Sequence, residues 1–158
     1  MKKEKEKSRA SRASALEDSI LIEKPSQNVF QALVNPDSID KISRNIVNVQ
    51  LATRGLLARG SSFTRILYSH GIPNFQTVTV EEFELDRLLT TTTTLVGFDV
   101  TYRYVLTSTP DGKTLLSLKK DGQRGWIIFK PLLIHLLTRP EHDGDHLRRI
   151  KQLVESTP

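Results

Sequence analysis

No cysteine occurs among the 158 residues of the chain, which excludes a disulfide framework and any thiolate metal site and leaves nothing that requires an oxidising compartment. A cytoplasmic setting is the expectation. The chain also has no stretch of about 20 apolar residues of the kind needed to cross a bilayer, and its first residues lack the apolar core of a secretory signal. No discriminating catalytic triad, paired carboxylate or phosphate loop can be read from it, so the sequence specifies a shape better than a reaction.

Net positive charge is concentrated in the first residues. The chain carries a net +5, but Lys2, Lys3, Lys5, Lys7, Arg9 and Arg12 against Glu4 and Glu6 give residues 1–13 a net +4, so the rest is close to neutral. A nucleic-acid-binding domain usually clusters its basic residues on the folded surface near aromatic or base-reading groups, and that pattern is missing. The tail could touch anionic lipid or RNA, although such Lys/Glu/Ser/Arg runs are more often solvated disorder. The length suits one domain with a genuine core. The expected division is a basic disordered tail over 1–17 and a folded domain over 18–156.

What is present is a clear order of elements. Ile20 and Ile22 alternate with Leu21 and Glu23 as a strand that Pro25-Ser26 stops. Ser26 is placed to cap a helix whose Val29, Phe30, Leu33 and Val34 share one face. Asn35-Pro36-Asp37 then restarts a second short helix, with Asn35 as cap and Pro36 in the first turn, where its missing N–H costs nothing. Six β-rich runs follow: Ile46 to about Thr53, Phe63 to Tyr68, Phe75 to Leu85, Leu88 to Val96, Phe98 to Thr107, and a last run opened by Leu115, Leu116 and Leu118 and ending at Asp121-Gly122. The five threonines Thr90 to Thr94 suit a pleated strand with one wet face and are read as strand, not as a phosphosite cluster. Thr109-Pro110-Asp111-Gly112 is the clearest turn signal. The final segment, from about Gln123 to Glu155, reads as a long helix. It is apolar almost all round from Trp126 to Leu137, bent at Pro140 and at Pro131, and amphipathic at its end, with Leu147, Ile150, Leu153 and Val154 inward and Arg148, Arg149 and Lys151 outward. The expectation is therefore an α+β domain: a seven-stranded, bent antiparallel sheet wrapped around a long C-terminal helix, with two short helices after strand 1 and a pocket between sheet and helix.

This order, together with Thr53-Arg54-Gly55 to Gly60-Ser61-Ser62-Phe63 and the closing His146-Leu147-Arg148-Arg149-Ile150-Lys151-Gln152-Leu153-Val154-Glu155, resembles the SRPBCC, or START-like, superfamily with its helix-grip fold, and within it the polyketide cyclase/dehydrase-like branch. The resemblance spans roughly Asp18 to Glu155. It implies a large internal cavity for apolar or amphipathic ligands such as lipids, sterols, aromatic polyketides or plant hormones. That superfamily has no shared catalytic constellation, so no catalytic residue is carried over.

Strand parity nominates the lining of such a cavity. Along Phe98 to Leu106 the even positions are apolar or aromatic, which places Val100, Tyr102 and Tyr104 on the buried side and Asp99, Thr101 and Arg103 on the other. The two phenols would be the few placed polar groups of an otherwise apolar pocket. The full expected lining is Val100, Tyr102, Tyr104, Leu116, Leu118, Trp126 and Phe129. Arg103 has surface parity, and His70 reads as a loop histidine at the pocket mouth without a carboxylate partner. His142-Asp143-Gly144-Asp145-His146 has histidines four apart, but Thr138-Arg139-Pro140-Glu141 reads as a capping box restarting a helix there, so no metal site and no cofactor is expected.

The function expected on these grounds is binding of a small hydrophobic or amphipathic ligand, lipid-like or polyketide-like. No feature specifies an oligomeric state. Two other classes remain open. One is a polyketide cyclase or dehydratase in which Tyr102, Tyr104 or His70 handles protons. The second is a membrane-visiting lipid carrier that makes weak contact with anionic membrane through its tail. Tyrosine, with an ordinary pKa of about 10, is a poor base at neutral pH unless a cation lies near it, and the sequence assures none on the pocket face.

Overall fold

The computed structural model describes residues 16–42, 46–51, 57–69, 72–95, 98–123 and 143–158. The elements are β1 (Leu16–Ile22), α1 (Ser26–Val34), α2 (Pro36–Ile42), β2 (Ile46–Leu51), β3 (Ser62–Ser69), β4 (Ile72–Glu84), β5 (Leu88–Leu95), β6 (Phe98–Ser108), β7 (Thr114–Gln123) and α3 (Asp143–Ser156). The described strands form one antiparallel sheet in the order β1-β7-β6-β5-β4-β3-β2. Strands β2 to β7 succeed one another as neighbours, and β1 joins the far edge by pairing with β7 from Leu16↔Lys120 to Ile22↔Thr114. Because Leu16 and Glu17 already pair with Lys120 and Lys119, the folded domain begins before the expected boundary at 18.

Local chemistry explains most element ends. The Asn35 side-chain oxygen accepts the Asp37 N–H at 3.0 Å, as expected of a cap ahead of Pro36. Ser26 does not cap α1. It is already helical, and the preceding Pro25 supplies only its carbonyl, to Asn28 and Val29. The β6–β7 turn closes with the Gly112 N–H donating to the Thr109 carbonyl at 3.0 Å, and Gly112 takes φ +79°, a conformation that glycine adopts without a Cβ penalty. In β4 the pairing slips between Val80 and Glu82. Val80 is held there by Ser61 and Gly60, whose backbones bond to it at 2.9 Å. The bulge reverses the parity of everything after it, so Phe83 turns to the core and Glu82 to the other face.

The sheet has an inner face, packed against α1 and α3, and an outer face. Ile22, Val29, Phe30, Leu106, Leu116, Leu118, Leu147 and Ile150 are each at most 3 % exposed and form the centre of the core, with Phe30 set edge-on to Phe83 at 5.1 Å. Each such side chain stabilises the fold by about 1.5–3 kcal/mol relative to exposure. Helix α3 is bound to β1 and its continuation by polar contacts as well. Lys151 Nζ donates to the Leu21 carbonyl and the Glu23 N–H donates to Glu155 Oε1, both at 2.8 Å. Arg149 Nη1 donates to the Ile42 carbonyl at 3.3 Å. Arg149 and Lys151, expected to face outward, are thus turned along the helix flank to satisfy backbone carbonyls. Strand β7 continues through Gln123, where the closing helix was expected to begin. Residues 124–142, including Trp126, Phe129, Pro131, Pro140 and His142, lie outside the described residues, as do the tail up to residue 15 and His70.

Candidate functional site

Register fixes which side chains share the inner face. One row runs from Leu118 through Tyr104 and Leu89 to Phe83, and the next from Lys120 through Tyr102 and Thr91 to Val80. A third passes Val100, Thr93, Val78 and Phe63, and beyond it Gln76 faces Arg65. Along these rows the chemistry changes. The first is closed and apolar, with Leu118 at 1 % and Leu89 at 2 % exposure. The later rows mix buried apolar residues with polar ones.

Of the expected lining, Leu116 and Leu118 belong to the packed core cluster, and Val100 and Tyr102 are half-buried. Tyr104, 8 % exposed, accepts or donates a 2.9 Å hydrogen bond with His146 Nε2 of α3. That contact ties helix to sheet at the border between the closed row and the polar ones. His146, read from the sequence as half of a histidine pair, serves here as the partner of a buried phenol, which needs one when it is taken out of water.

Two cations lie on the inner face of the sheet, where the sequence alone assured none. Lys120 shares the parity of Leu116 and Leu118, and its Nζ lies 5.5 Å from the centre of the Tyr102 ring, within cation–π range. Arg65 shares the parity of the buried Phe63. Its Nε donates to Gln76 Oε1 at 2.8 Å and its Nη2 reaches Thr93 Oγ1 at 3.5 Å. Gln76 and Thr93 are 5 % and 1 % exposed, so a charged side chain is held by polar groups set among Phe63, Val78 and Val80. Both cations were legible in principle: alternation about Phe63 and about Leu118 marks positions 65 and 120 as inward.

Arg103 lies on the outer face as its parity required. Its Nη1 is 2.6 Å from Glu82 Oε2, which also accepts the Thr90 hydroxyl at 2.6 Å. The threonine strand divides between faces. Thr93 is inward, while Thr92 meets Thr101 and Thr94 donates to Asp99 on the outer side. Among the described residues no group of three or more His, Asp or Glu side chains converges as a metal site, and no helix is long and apolar enough to cross a membrane. A half-open depression of about 240 Å³ lies at the seam of β1 and α3, bordered by Asp18, Ser19, Ile20, Leu147 and Arg148. None of the described members of the expected lining borders it.

No family model matches the sequence, and no curated protein matches it. Solved structures do resemble the fold. The Zhui aromatase/cyclase from Streptomyces sp. R1128 superposes with TM-score 0.69 at 13% identity, covering 89% of this chain and 93% of its own. A START superfamily protein from Mycobacterium smegmatis gives 0.68 at 13% identity, with 91% and 99% covered. Ara h 8.0201 gives 0.65 at 15% identity, with 90% and 98% covered. The architecture is the helix-grip fold that these structures share.

Proposed function

We propose that the chain binds a small hydrophobic or amphipathic molecule against the inner face of the sheet, on the rows that carry Val100, Tyr102, Thr93 and Arg65. One observation carries this reading. At that end the core-facing side of the sheet holds Gln76, Thr93, Arg65 and Lys120 beside apolar Phe63, Val78 and Val80. Burying polar groups costs free energy that a purely structural core avoids by using apolar residues. An apolar wall with a few placed polar groups is the composition of a ligand site. The helix-grip architecture supports the same reading. Trp126 and Phe129 would complete the lining from the segment that follows β7. Native mass spectrometry of the purified protein tests it: a small molecule should be retained in the gas phase and released by denaturation. The absence of both a retained mass and any binding of an apolar fluorophore would sink it.

A second reading, an enzyme of the polyketide cyclase or dehydratase type, gains one observation. Tyr104 is hydrogen-bonded to His146, a group that can exchange its proton, and the Lys120 ammonium lies over the Tyr102 ring. Turnover of a candidate polyketide that disappears in Tyr102→Phe while ligand affinity stays intact would favour it.

A further inference from the structure

The ligand's polar end follows from what surrounds Arg65, on the premise of the cavity reading above. Of the five N–H donors of a guanidinium, Arg65 commits Nε to Gln76 and one Nη2 hydrogen, at a long 3.5 Å, to Thr93. The Nη1 edge is uncommitted among the described residues. No carboxylate neutralises it there. Glu82 is occupied on the outer face by Arg103 and Thr90, and Asp99 by Thr94, again on the outer face. A partly buried cation held only by neutral dipoles is incomplete, because such a charge is normally paired. Gln76 fixes the Nε edge of the plane, so the remaining edge presents two parallel donors. That fork matches a carboxylate bidentately.

We infer that Arg65, oriented by Gln76 and Thr93, anchors the carboxylate of an amphipathic monoanion whose apolar body lies along Phe63, Val78 and Val100. A single negative charge is favoured over a phosphate dianion because it balances the one guanidinium and leaves no excess charge to be desolvated. Arg65 is a binding residue in this scheme, and Gln76 positions it.

The test uses the full chain and three probes with the same chain length, dodecanoate, dodecanol and dodecyl phosphate, each displacing an apolar fluorophore at neutral pH. Dodecanoate should bind about 10- to 100-fold more tightly than dodecanol, the factor expected of a hydrogen bond to a charged group. Arg65→Gln should abolish that preference and leave dodecanol affinity unchanged. Arg65→Lys, which keeps the charge and loses the fork, should retain only part of it and serves if Arg65→Gln fails to fold. Equal affinity for dodecanoate and dodecanol would overturn the anchor while leaving the cavity standing. Preference for dodecyl phosphate would overturn the monoanion. Displacement by none of the three would overturn the cavity reading and the anchor together.

Discussion

The inner face of one sheet is used in two ways. Toward β1 and α3, Ile22, Leu106, Leu116 and Leu118 interlock with Phe30 and Ile150 at 0–3 % exposure, and the hydrophobic effect is spent entirely on holding the fold. Toward β3 and β4, the inner face presents Arg65, Gln76 and Thr93 beside the buried Val78 and Val80, and on β6 and β7 the half-buried Val100, Tyr102 and Lys120. Tyr104 with His146 marks the border. A single alternating pattern therefore carries both an apolar core and the surface proposed to bind a ligand. The two are told apart by polar side chains at inward positions, not by the strands that carry them.

Mutations should separate the two regions. Leu116→Ala in the closed region should cost about 2–5 kcal/mol in chemical denaturation, the range for a large-to-small change in a packed core. Val100→Ala, in a half-buried position, should cost well under half of that. A comparable loss at both would erase the distinction. Next in size is Gln76→Ala, which removes the acceptor from Arg65 Nε in a buried setting and should cost about 1–3 kcal/mol, with Gln76→Glu recovering part of it.

The border contact is smaller. A double-mutant cycle of Tyr104→Phe and His146→Ala should give a coupling of about 0.5–1.5 kcal/mol, the value of one neutral hydrogen bond. Tyr102→Phe should leave stability alone and weaken ligand affinity by about the same 0.5–1.5 kcal/mol. A coupling indistinguishable from zero would detach α3 from Tyr104 as an energetic unit.

The smallest effect belongs to the exposed β6–β7 turn. The Thr109 hydroxyl donates to Asp111 and Lys113 lies 3.4 Å from it, which holds the Asp111 carboxyl below its ordinary value. A depressed carboxyl contributes stability above its unfolded pKa and loses it as pH falls through the lower folded value. Lys113 is raised, chiefly by its hydrogen bond to Glu23 at 2.8 Å and then by Asp111. Its contribution is complete below the ordinary lysine value and lost as pH rises through the raised one. Asp111→Asn should flatten the acid limb of the stability curve and, to a smaller extent, the alkaline limb set by Lys113. At this exposure the change should be close to the limit of detection.

The order of elements was legible because proline, the Asn35 cap and the Thr109–Gly112 turn are local signals, and period-two alternation placed Tyr102, Tyr104 and Arg103 on their observed faces. The bulge at Val80 was not legible. Val80 bonds there to the backbones of Gly60 and Ser61, about twenty positions away in the chain, and no local pattern in Thr79 to Glu82 encodes the slip. Arg65, Gln76 and Lys120 carry inward parity, but a polar residue in an alternating strand is the usual mark of the wet face, so alternation alone does not reveal them. His146 lay in a metal-like spacing, and its partner on β6 emerges only when helix and sheet are packed.

If the proposed ligand is received around Val100, bulk placed there should exclude it and leave the closed region intact. Val100→Trp places that bulk beside Thr93 and Tyr102, on a row away from Leu116 and Leu118. Titration of an apolar fluorophore should show binding to the wild-type chain and none to Val100→Trp, while thermal melting of the variant stays at or above that of the wild type. A folded Val100→Trp that binds the fluorophore with unchanged affinity would contradict the account.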